Sequence, residues 1–225
     1  MKKYGVLLAV ALTAAIGTST ALPAAAATGT GSPAPAARAA AAPTPLRLMP
    51  LGDSITWGVG SPSGNGYRSF LWNRLANEGY ARDFVGSGRN GTMSDPDNEG
   101  HSGWHISEIA GIADSVLARY RPNVITLEIG TNDLNGGSQA DPAAQRLQAL
   151  IDQITADAPD ATVLVGTVIV STSGTEEATR PAFNAKLPGI VQAEQAAGKH
   201  VRLVDMSAVT TADLSDSLHP DDNGY

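Results

Sequence analysis

The residue best suited to chemistry in this sequence is Ser54, in the stretch 51–58 (LGDSITWG). The stretch follows residues 46–50, an apolar run that predicts a strand, so the serine stands at a strand end. A serine hydroxyl is a weak nucleophile at neutral pH, and it needs a base within hydrogen-bond reach and a third group that orients the base. Because Gly-Asp-Ser is also typical of a turn with a capped helix, the assignment depends on finding these partners elsewhere in the chain.

His219 and Asp216 are the candidate partners of Ser54, near the end of the sequence. His219 would take the proton from the serine as it attacks a carbonyl and return it to the leaving group. Asp216 lies three residues earlier and can reach the other ring nitrogen across a turn. The attack places negative charge on the carbonyl oxygen. The candidate donors to that oxygen are the Asn132 amide and the backbone N–H groups of Gly103 and Ser54.

The other three histidines fit the role of base less well. His200 precedes a predicted strand and therefore belongs to the opposite edge of the sheet. His101 and His105 flank Gly103, but neither has an acid three residues before it. His101 is a candidate pocket residue, and His105 is expected at the surface or at the start of a helix.

Strand-like and helix-like segments alternate along the chain and would position these residues. Strands are predicted at residues 46–51, 83–87, 124–129, 162–170 and 201–206, and helices at 67–78, 106–117, 142–156 and 180–197, the last interrupted by Pro188. A long loop, 88–103, follows the second strand. This alternation predicts a five-stranded parallel sheet covered on both faces, a three-layer α/β/α domain. Chemistry in such sheets collects at the carboxyl ends of the strands, and the candidate residues follow four of the five ends.

The composition is that of one globular domain with a hydrophobic core of its own. The chain has 225 residues, a formal net charge of −7 and no cysteine. This length is sufficient to bury a core without cross-links. The absence of cysteine excludes a cysteine nucleophile and a cysteine-based zinc site. The negative charge argues against nucleic acid as the main partner, because a phosphate backbone requires a basic surface.

The first 45 residues are predicted to lie outside the folded domain. Lys2 and Lys3, an apolar run over 5–16 and the small residues 25–27 predict a secretory signal peptide at 1–27. The alternative, an uncleaved membrane anchor, is disfavoured because the apolar run is short and is interrupted by Thr and Gly. Residues 28–45 are rich in Ala and Pro and predict a disordered linker. The domain would then span 46–225 of a secreted protein that has no stable membrane insertion after cleavage.

Together these blocks resemble the SGNH hydrolases, also called the GDSL esterase/lipase superfamily, over residues 46–225. The matching blocks are 52–56 (GDSIT), 102–103 (SG), 130–133 (GTND) and 216–220 (DSLHP). The resemblance implies a flavodoxin-like α/β/α fold. It also implies that the catalytic residues are Ser54, Asp216 and His219, and that the oxyanion hole is formed by Ser54, Gly103 and Asn132.

The glycine of the second block is assigned to Gly103 among several glycines of the same loop. Gly88, Gly91 and Gly100 are the alternatives. Gly103 is preferred because it directly precedes a predicted helix, where a free N–H is available to a developing anion.

The end of the chain departs from the superfamily pattern. Members continue past the position of Tyr225 into a last helix that packs on the sheet. The resemblance therefore implies a domain that is truncated at its C-terminus, with the last helix missing and the loop of Asp216 and His219 less firmly held.

The resemblance implies hydrolysis of a carboxylic ester through an acyl-serine intermediate, with no metal or organic cofactor. Residues 51–58, 66–68 and 98–104 resemble in particular the secreted acetyl xylan esterases, which favours acetyl groups on polysaccharides such as xylan as the substrate. The candidate substrate-binding residues are Asp53, Trp57, Arg68, His101 and Trp104. A broad-range lipase or esterase acting on lipids or small esters stays open, as does a non-catalytic carbohydrate-binding module. The oligomeric state is left open.

Overall fold

The computed structural model describes residues 45–225, so the predicted signal peptide and nearly all of the predicted linker lie outside the described residues. The described part of the chain contains one sheet of seven strands. They are β1 Leu46–Gly52, β2 Arg82–Phe84, β3 Gly88–Arg89, β4 Asp97–Gly100, β5 Val124–Glu128, β6 Thr162–Gly166 and β7 Val201–Val204.

The order of the strands places β1 near the middle of the sheet. The order is β3-β4-β1-β5-β6-β7, and all pairs are parallel except β3 with β4. On the edge of β1 away from β5, β2 pairs with the amino-terminal half and β4 with the carboxyl end. The predicted parallel α/β architecture is confirmed. The prediction of a long loop at 88–103 is wrong in part, because β4 pairs there with the free edge of β1 and β3 pairs with β4, although neither strand has an apolar pattern.

Helices cover both faces of this sheet. Within residues 45–225 they are α1 Ser54–Trp57, α2 Tyr67–Asn77, α3 Ile106–Tyr120, α4 Thr131–Asn135, α5 Ala140–Asp157, α6 Gly174–Glu177, α7 Arg180–Asn184 and α8 Leu187–Ala196. The predicted helix 180–197 is thus two helices, and Pro188 lies in the first turn of α8, where its missing N–H costs no hydrogen bond. None of the helices described combines the length and apolar character that crossing a membrane requires.

The main core lies between one face of the sheet and the helices α3, α5 and α8. Strand alternation sends Ile125 and Leu127 of β5 into this core, whereas Thr126 points to the opposite face. There α2 covers the sheet, and the hydroxyls of Tyr67 and Thr126 are hydrogen-bonded at 3.0 Å. These contacts give the three predicted layers.

Gly52, the last residue of β1, sets the level at which the strands end. It pairs with Gly100 of β4 on one side and with Glu128 of β5 on the other. A Cβ at position 52 would lie 2.1 Å from the Glu128 carbonyl oxygen and 2.5 Å from Thr56 Oγ1. The glycine therefore permits α1 to fold back against the end of its own strand, with Ser54 at the first position of the helix.

Arg68 joins the loops on the side of the sheet next to β1. Its side chain is completely buried, and its guanidinium donates hydrogen bonds of 2.7–3.0 Å to four backbone carbonyls, those of Trp57, Gly64, Asn90 and Pro96. The expectation that Arg68 binds substrate is therefore wrong, because the guanidinium has no exposed surface and is already engaged by the backbone.

Replacing Arg68 with Ala should destabilise the fold strongly. It removes a donor from four carbonyls, and the Asn90 carbonyl keeps no other donor in the described chain. A buried polar group that loses its partner costs about 1–3 kcal/mol, and the cavity left by the buried side chain adds to the loss. We expect the free energy of unfolding to fall by roughly 3 kcal/mol or more in urea denaturation. Arg74→Ala is the matched control, since Arg74 lies on the same helix in a half-exposed pair with Glu78, which contributes only about 0–1 kcal/mol. Equal losses in the two variants would contradict this role of Arg68.

Candidate active site

Ser54 is held by a short helix with caps at both ends. Asp53 precedes α1, and its Oδ1 accepts the Ile55 N–H at 3.0 Å. Gly58 ends the helix at φ +95°, a conformation that favours glycine. Ser54 is only 4% exposed, so its hydroxyl stands at the bottom of the site and not on the open surface.

The structure brings the three predicted triad residues together. His219 Nε2 lies 2.8 Å from Ser54 Oγ. The other ring nitrogen, Nδ1, lies 2.8 Å from Asp216 Oδ2 and 3.0 Å from Oδ1. An antiparallel bridge between Leu214 and Pro220 closes the loop that carries the pair. Ser54 and His219 are 165 positions apart in the sequence, so the fold alone creates this contact.

Asp216 is arranged to stay ionised. Its Oδ1 accepts the backbone N–H groups of Leu218 and His219, both at 2.8 Å. Partial burial pushes the pKa of Asp216 up, but these bonds and the imidazole lower it below its usual value overall. An ionised carboxylate requires a proton on His219 Nδ1. The hydrogen-bond network thereby assigns Nε2 as the acceptor for the Ser54 hydroxyl.

Three groups are candidate donors to an oxyanion. Within residues 45–225 the backbone N–H groups of Ser54 and Gly103 donate to no acceptor. Gly103 has φ +84°, a conformation that favours glycine, and it precedes α3 as predicted. Asn132 Nδ2 donates to the Trp104 carbonyl at 2.9 Å and lies 3.4 Å from Asp53 Oδ2, a much weaker contact. Both hydrogens of this amide therefore have an acceptor, and a substrate oxygen would take the place of Asp53 in the longer bond.

Asp133 is a supporting residue that the sequence analysis did not single out. Its Oδ2 accepts the Ile106 N–H at the start of α3 at 2.9 Å. Its Oδ1 accepts two hydrogen bonds from Arg146 of α5, at 3.1 and 2.8 Å. These bonds fix α4, and with it Asn132, between the two largest helices. The signal that could have shown this is its position beside Asn132 in the GTND block.

Three buried carboxyl groups lie close enough to affect one another's pKa: Asp53, which directly precedes the nucleophile, Glu128 and Glu176. Burial raises the pKa of Asp53 to about 7, and the nearby Asp133 adds to the effect. Burial likewise raises the pKa of Glu176 to about 7 and that of Glu128 well above its usual value. Asp53 is fully buried, so its expected role in contacting substrate is wrong. It caps α1 instead.

Of the predicted pocket residues, Trp57, His101 and Trp104 are partly exposed at the ends of β1 and β4. The His101 ring stacks on the Trp104 ring, with centroids 4.0 Å apart. Its Nε2 is bonded to Glu99 at 2.7 Å, which leaves His219 as the histidine at the serine. His105 directly precedes α3, as predicted. In the described part of the chain, no group of three or more His, Asp or Glu residues is placed to hold a metal.

Replacing Asp53 with Asn should change how stability depends on pH. The pKa of Asp53 is raised from 3.8 to about 7 in the folded protein. The folded state therefore binds this proton more tightly, and stability is lost as the pH rises from about 4 to 7. The amide of the Asp53→Asn variant keeps the oxygen that caps α1. Because the amide does not ionise, it causes no loss of stability as the pH rises. One pKa unit corresponds to about 1.4 kcal/mol, so the free energy of unfolding of Asp53→Asn, relative to wild type, should increase by roughly 1–4 kcal/mol from pH 4 to pH 8.

Urea denaturation across this pH range is the measurement. Asp160→Asn removes an exposed carboxylate and is the matched control, for which no comparable increase is expected. If the difference between Asp53→Asn and wild type stays flat with pH, Asp53 does not hold a proton in the folded state.

Comparisons with known proteins agree with this geometry. The family model of GDSL-like lipases and acylhydrolases matches residues 51–225. A solved family 3 carbohydrate esterase from Clostridium thermocellum is 36% identical, with a TM-score of 0.73 over 81% of this chain and 90% of that one. A solved acetyl esterase mutant with an acetate ion is 29% identical, with a TM-score of 0.70 over 80% and 90% of the two chains.

A multidomain esterase from Ruminococcus flavefaciens is 30% identical over 211 residues, which are 80% of this chain and 27% of the relative. The chain thus spans about a quarter of the length of that relative. The family match covers every block of the site, from Ser54 to His219. The chain belongs to the GDSL-like lipase/acylhydrolase family, and its described domain is a carboxylic ester hydrolase.

Proposed function

We propose that this protein is a secreted serine esterase that removes short acyl groups, above all acetyl, from polysaccharides such as xylan. The observation that carries the proposal is the unbroken hydrogen-bond chain from Asp216 through His219 to Ser54, with contacts of 2.8 Å at both steps. This chain provides a nucleophile, its base and the group that orients the base.

The reaction follows from these positions. His219 Nε2 takes the proton of Ser54 as Oγ bonds to the ester carbonyl carbon, and the oxyanion accepts hydrogen bonds from Ser54, Gly103 and Asn132. The imidazolium then gives its proton to the leaving alcohol, a sugar hydroxyl, as the ester bond breaks and the acyl-serine remains. Water attacks next, with His219 again as base, and the products are a carboxylic acid and free serine. Asp216 stabilises the imidazolium in both halves.

The surroundings of the site support a short acyl group. Among the described residues, the one large apolar side chain that is mostly exposed is Phe70, at 53%. It lies on α2 and not on a loop at the strand ends. A long acyl chain needs a broad apolar surface beside the nucleophile, whereas the loops around Ser54 are polar and rich in glycine.

A carbohydrate as the alcohol part is supported by the relatives and by the aromatic side chains. The family 3 carbohydrate esterase and the acetyl esterase with acetate are both close in fold. Trp57 and the stacked His101 and Trp104 offer ring faces beside polar groups, an arrangement suited to sugar rings. Secretion is supported by the signal-peptide pattern at 1–27.

Hydrolysis of p-nitrophenyl esters of increasing chain length tests the reaction and the acyl group. For residues 28–225, kcat/KM on the acetate should exceed that on the octanoate by at least about tenfold. The reason is that the loops around Ser54 offer no broad apolar surface to bind the longer acyl chain. Ser54→Ala should lower kcat on the order of 10⁴-fold or more. Activity that persists without Ser54 would contradict the mechanism, and a preference for octanoate would indicate a lipase.

Release of acetate from acetylated xylan tests the polymer. Turnover of the p-nitrophenyl acetate without release from xylan would contradict the polysaccharide part of the proposal and favour a small-ester esterase. Binding of xylan without any Ser54-dependent turnover would instead indicate a carbohydrate-binding module.

Expression of the full chain in a secreting bacterial host tests localisation. We expect the protein in the medium to begin near residue 28, because cleavage after the small residues 25–27 removes the positive start and the apolar run. N-terminal sequencing and intact mass provide the measurement. Full-length chain retained in the membrane fraction would show an uncleaved anchor.

A further inference from the structure

The short turn from His101 to Trp104 supplies two parts of the oxyanion hole at once. Its third residue, Gly103, contributes a backbone N–H that has no acceptor within residues 45–225. Its last residue, Trp104, contributes the carbonyl that accepts a hydrogen from Asn132 Nδ2 at 2.9 Å and so sets the plane of that amide. A shift of this turn would therefore displace two of the three oxyanion donors.

Stacking of the two rings at its ends restrains the turn. The Trp104 N–H donates to the His101 carbonyl at 3.1 Å, and the His101 N–H donates to the Gly52 carbonyl at 2.9 Å. The imidazole lies on the indole with centroids 4.0 Å apart and ring planes 14° apart. Within the part of the chain that the structure describes, and apart from the two adjoining residues, no atom lies within 4 Å of the place where a Cβ of Gly103 would stand. Since the apex of the turn is not packed, the stacked rings carry the restraint.

Glu99 holds the imidazole in this orientation. Its side chain is 1% exposed and accepts the His101 Nε2–H at 2.7 Å. It also accepts the Ser87 N–H at 2.6 Å and the Ser87 hydroxyl at 2.8 Å. Burial pushes the pKa of Glu99 up, but these donors bring it below its usual value. A buried carboxylate needs its donors, so rotation of the imidazole away from Glu99 is costly.

We propose that Glu99 and His101 are positioning residues that keep the oxyanion hole in its working geometry through Trp104. The inference rests on the proposed esterase function and deepens it. The sequence of contacts runs from the buried Glu99 carboxylate to the His101 ring, from that ring to the Trp104 ring, and from the Trp104 carbonyl to Asn132. His219 occupies the position of base at Ser54, so His101 acts without moving a proton.

Single substitutions of His101 test the proposal. His101→Ala removes both the ring and the donor to Glu99, whereas His101→Phe keeps a ring that can stack. On a p-nitrophenyl ester that wild type hydrolyses through Ser54, kcat of His101→Ala should fall roughly 10- to 100-fold with KM within about twofold. The reason is that oxyanion donors act in the transition state and not in the bound substrate. His101→Phe should keep more of kcat than His101→Ala.

His200→Ala is the matched control, because His200 is exposed and lies directly before β7, at the amino edge of the sheet. Its kcat should stay within about twofold of wild type. Thermal unfolding of each variant establishes that it is folded, and His101→Phe keeps the test valid if His101→Ala fails to fold.

A double-mutant cycle that combines His101→Ala with Asn132→Ala tests whether His101 affects kcat through the oxyanion donors. Loss of one oxyanion donor costs on the order of 10²–10³ in kcat. If His101 acts through Asn132 and Gly103, the double variant should lose clearly less than the product of the two single losses.

Three results would overturn the inference and leave the proposed function standing. They are an unchanged kcat for the folded His101 variants, a change confined to KM, and single losses that multiply fully in the double variant. A wild-type protein without Ser54-dependent hydrolysis of any ester in the series would overturn the proposed function, and the inference with it.

Discussion

The active site depends on three strand ends that lie at one level. Gly52 pairs with Gly100 and Glu128 on its two sides, so β4, β1 and β5 reach the edge of the sheet together. Two residues beyond this level the chain arrives at Ser54, and four residues beyond Glu128 it arrives at Asn132. A side chain at position 52 would collide with the neighbouring strand and with α1. The nucleophile and the oxyanion donors are therefore neighbours because the parallel ladder makes them so.

Ser54 lies between carboxyl groups in opposite environments. Asp216 is half-exposed and surrounded by donors, which keep it charged and able to stabilise an imidazolium. Asp53 and Glu128 are buried, and within the described chain Glu128 has no hydrogen-bond partner for either carboxyl oxygen, so they favour their protonated forms. Asp53 Oδ2 lies 3.4 Å from Asn132 Nδ2, and its proton thus determines how much negative charge surrounds the oxyanion hole. Asp216 is charged whereas Asp53 and Glu128 favour their protonated forms because the groups differ in burial and in the number of hydrogen-bond donors around them, and not because of residue type.

The sequence predicted what depends on local pattern and on the rule that chemistry collects at strand ends. The apolar periodicity located the main strands and helices. The four blocks located Asn132 and the three residues Ser54, Asp216 and His219, and the structure brings these three into hydrogen-bond contact. The strands β3 and β4 carry few apolar residues, so no local pattern shows them: β4 pairs with the free edge of β1, and β3 pairs with β4. In the sequence, Arg68 is typical of a cation at the protein surface beside an active site. Only its hydrogen bonds to four backbone carbonyls show that its side chain is buried.

Because local sequence pattern does not show tertiary contacts, the glycine of a sequence motif is not sufficient to define an oxyanion hole. Gly103 supplies a free N–H because it has no side chain and adopts a positive φ, and both properties also leave its turn easy to distort. An electrostatic donor is effective only when it is already in place as charge develops. Freedom at Gly103 must therefore be balanced by restraint at its neighbours. The buried Glu99, the His101 ring and the Trp104 ring provide that restraint from positions which, in the sequence, are ordinary polar and aromatic residues of a loop.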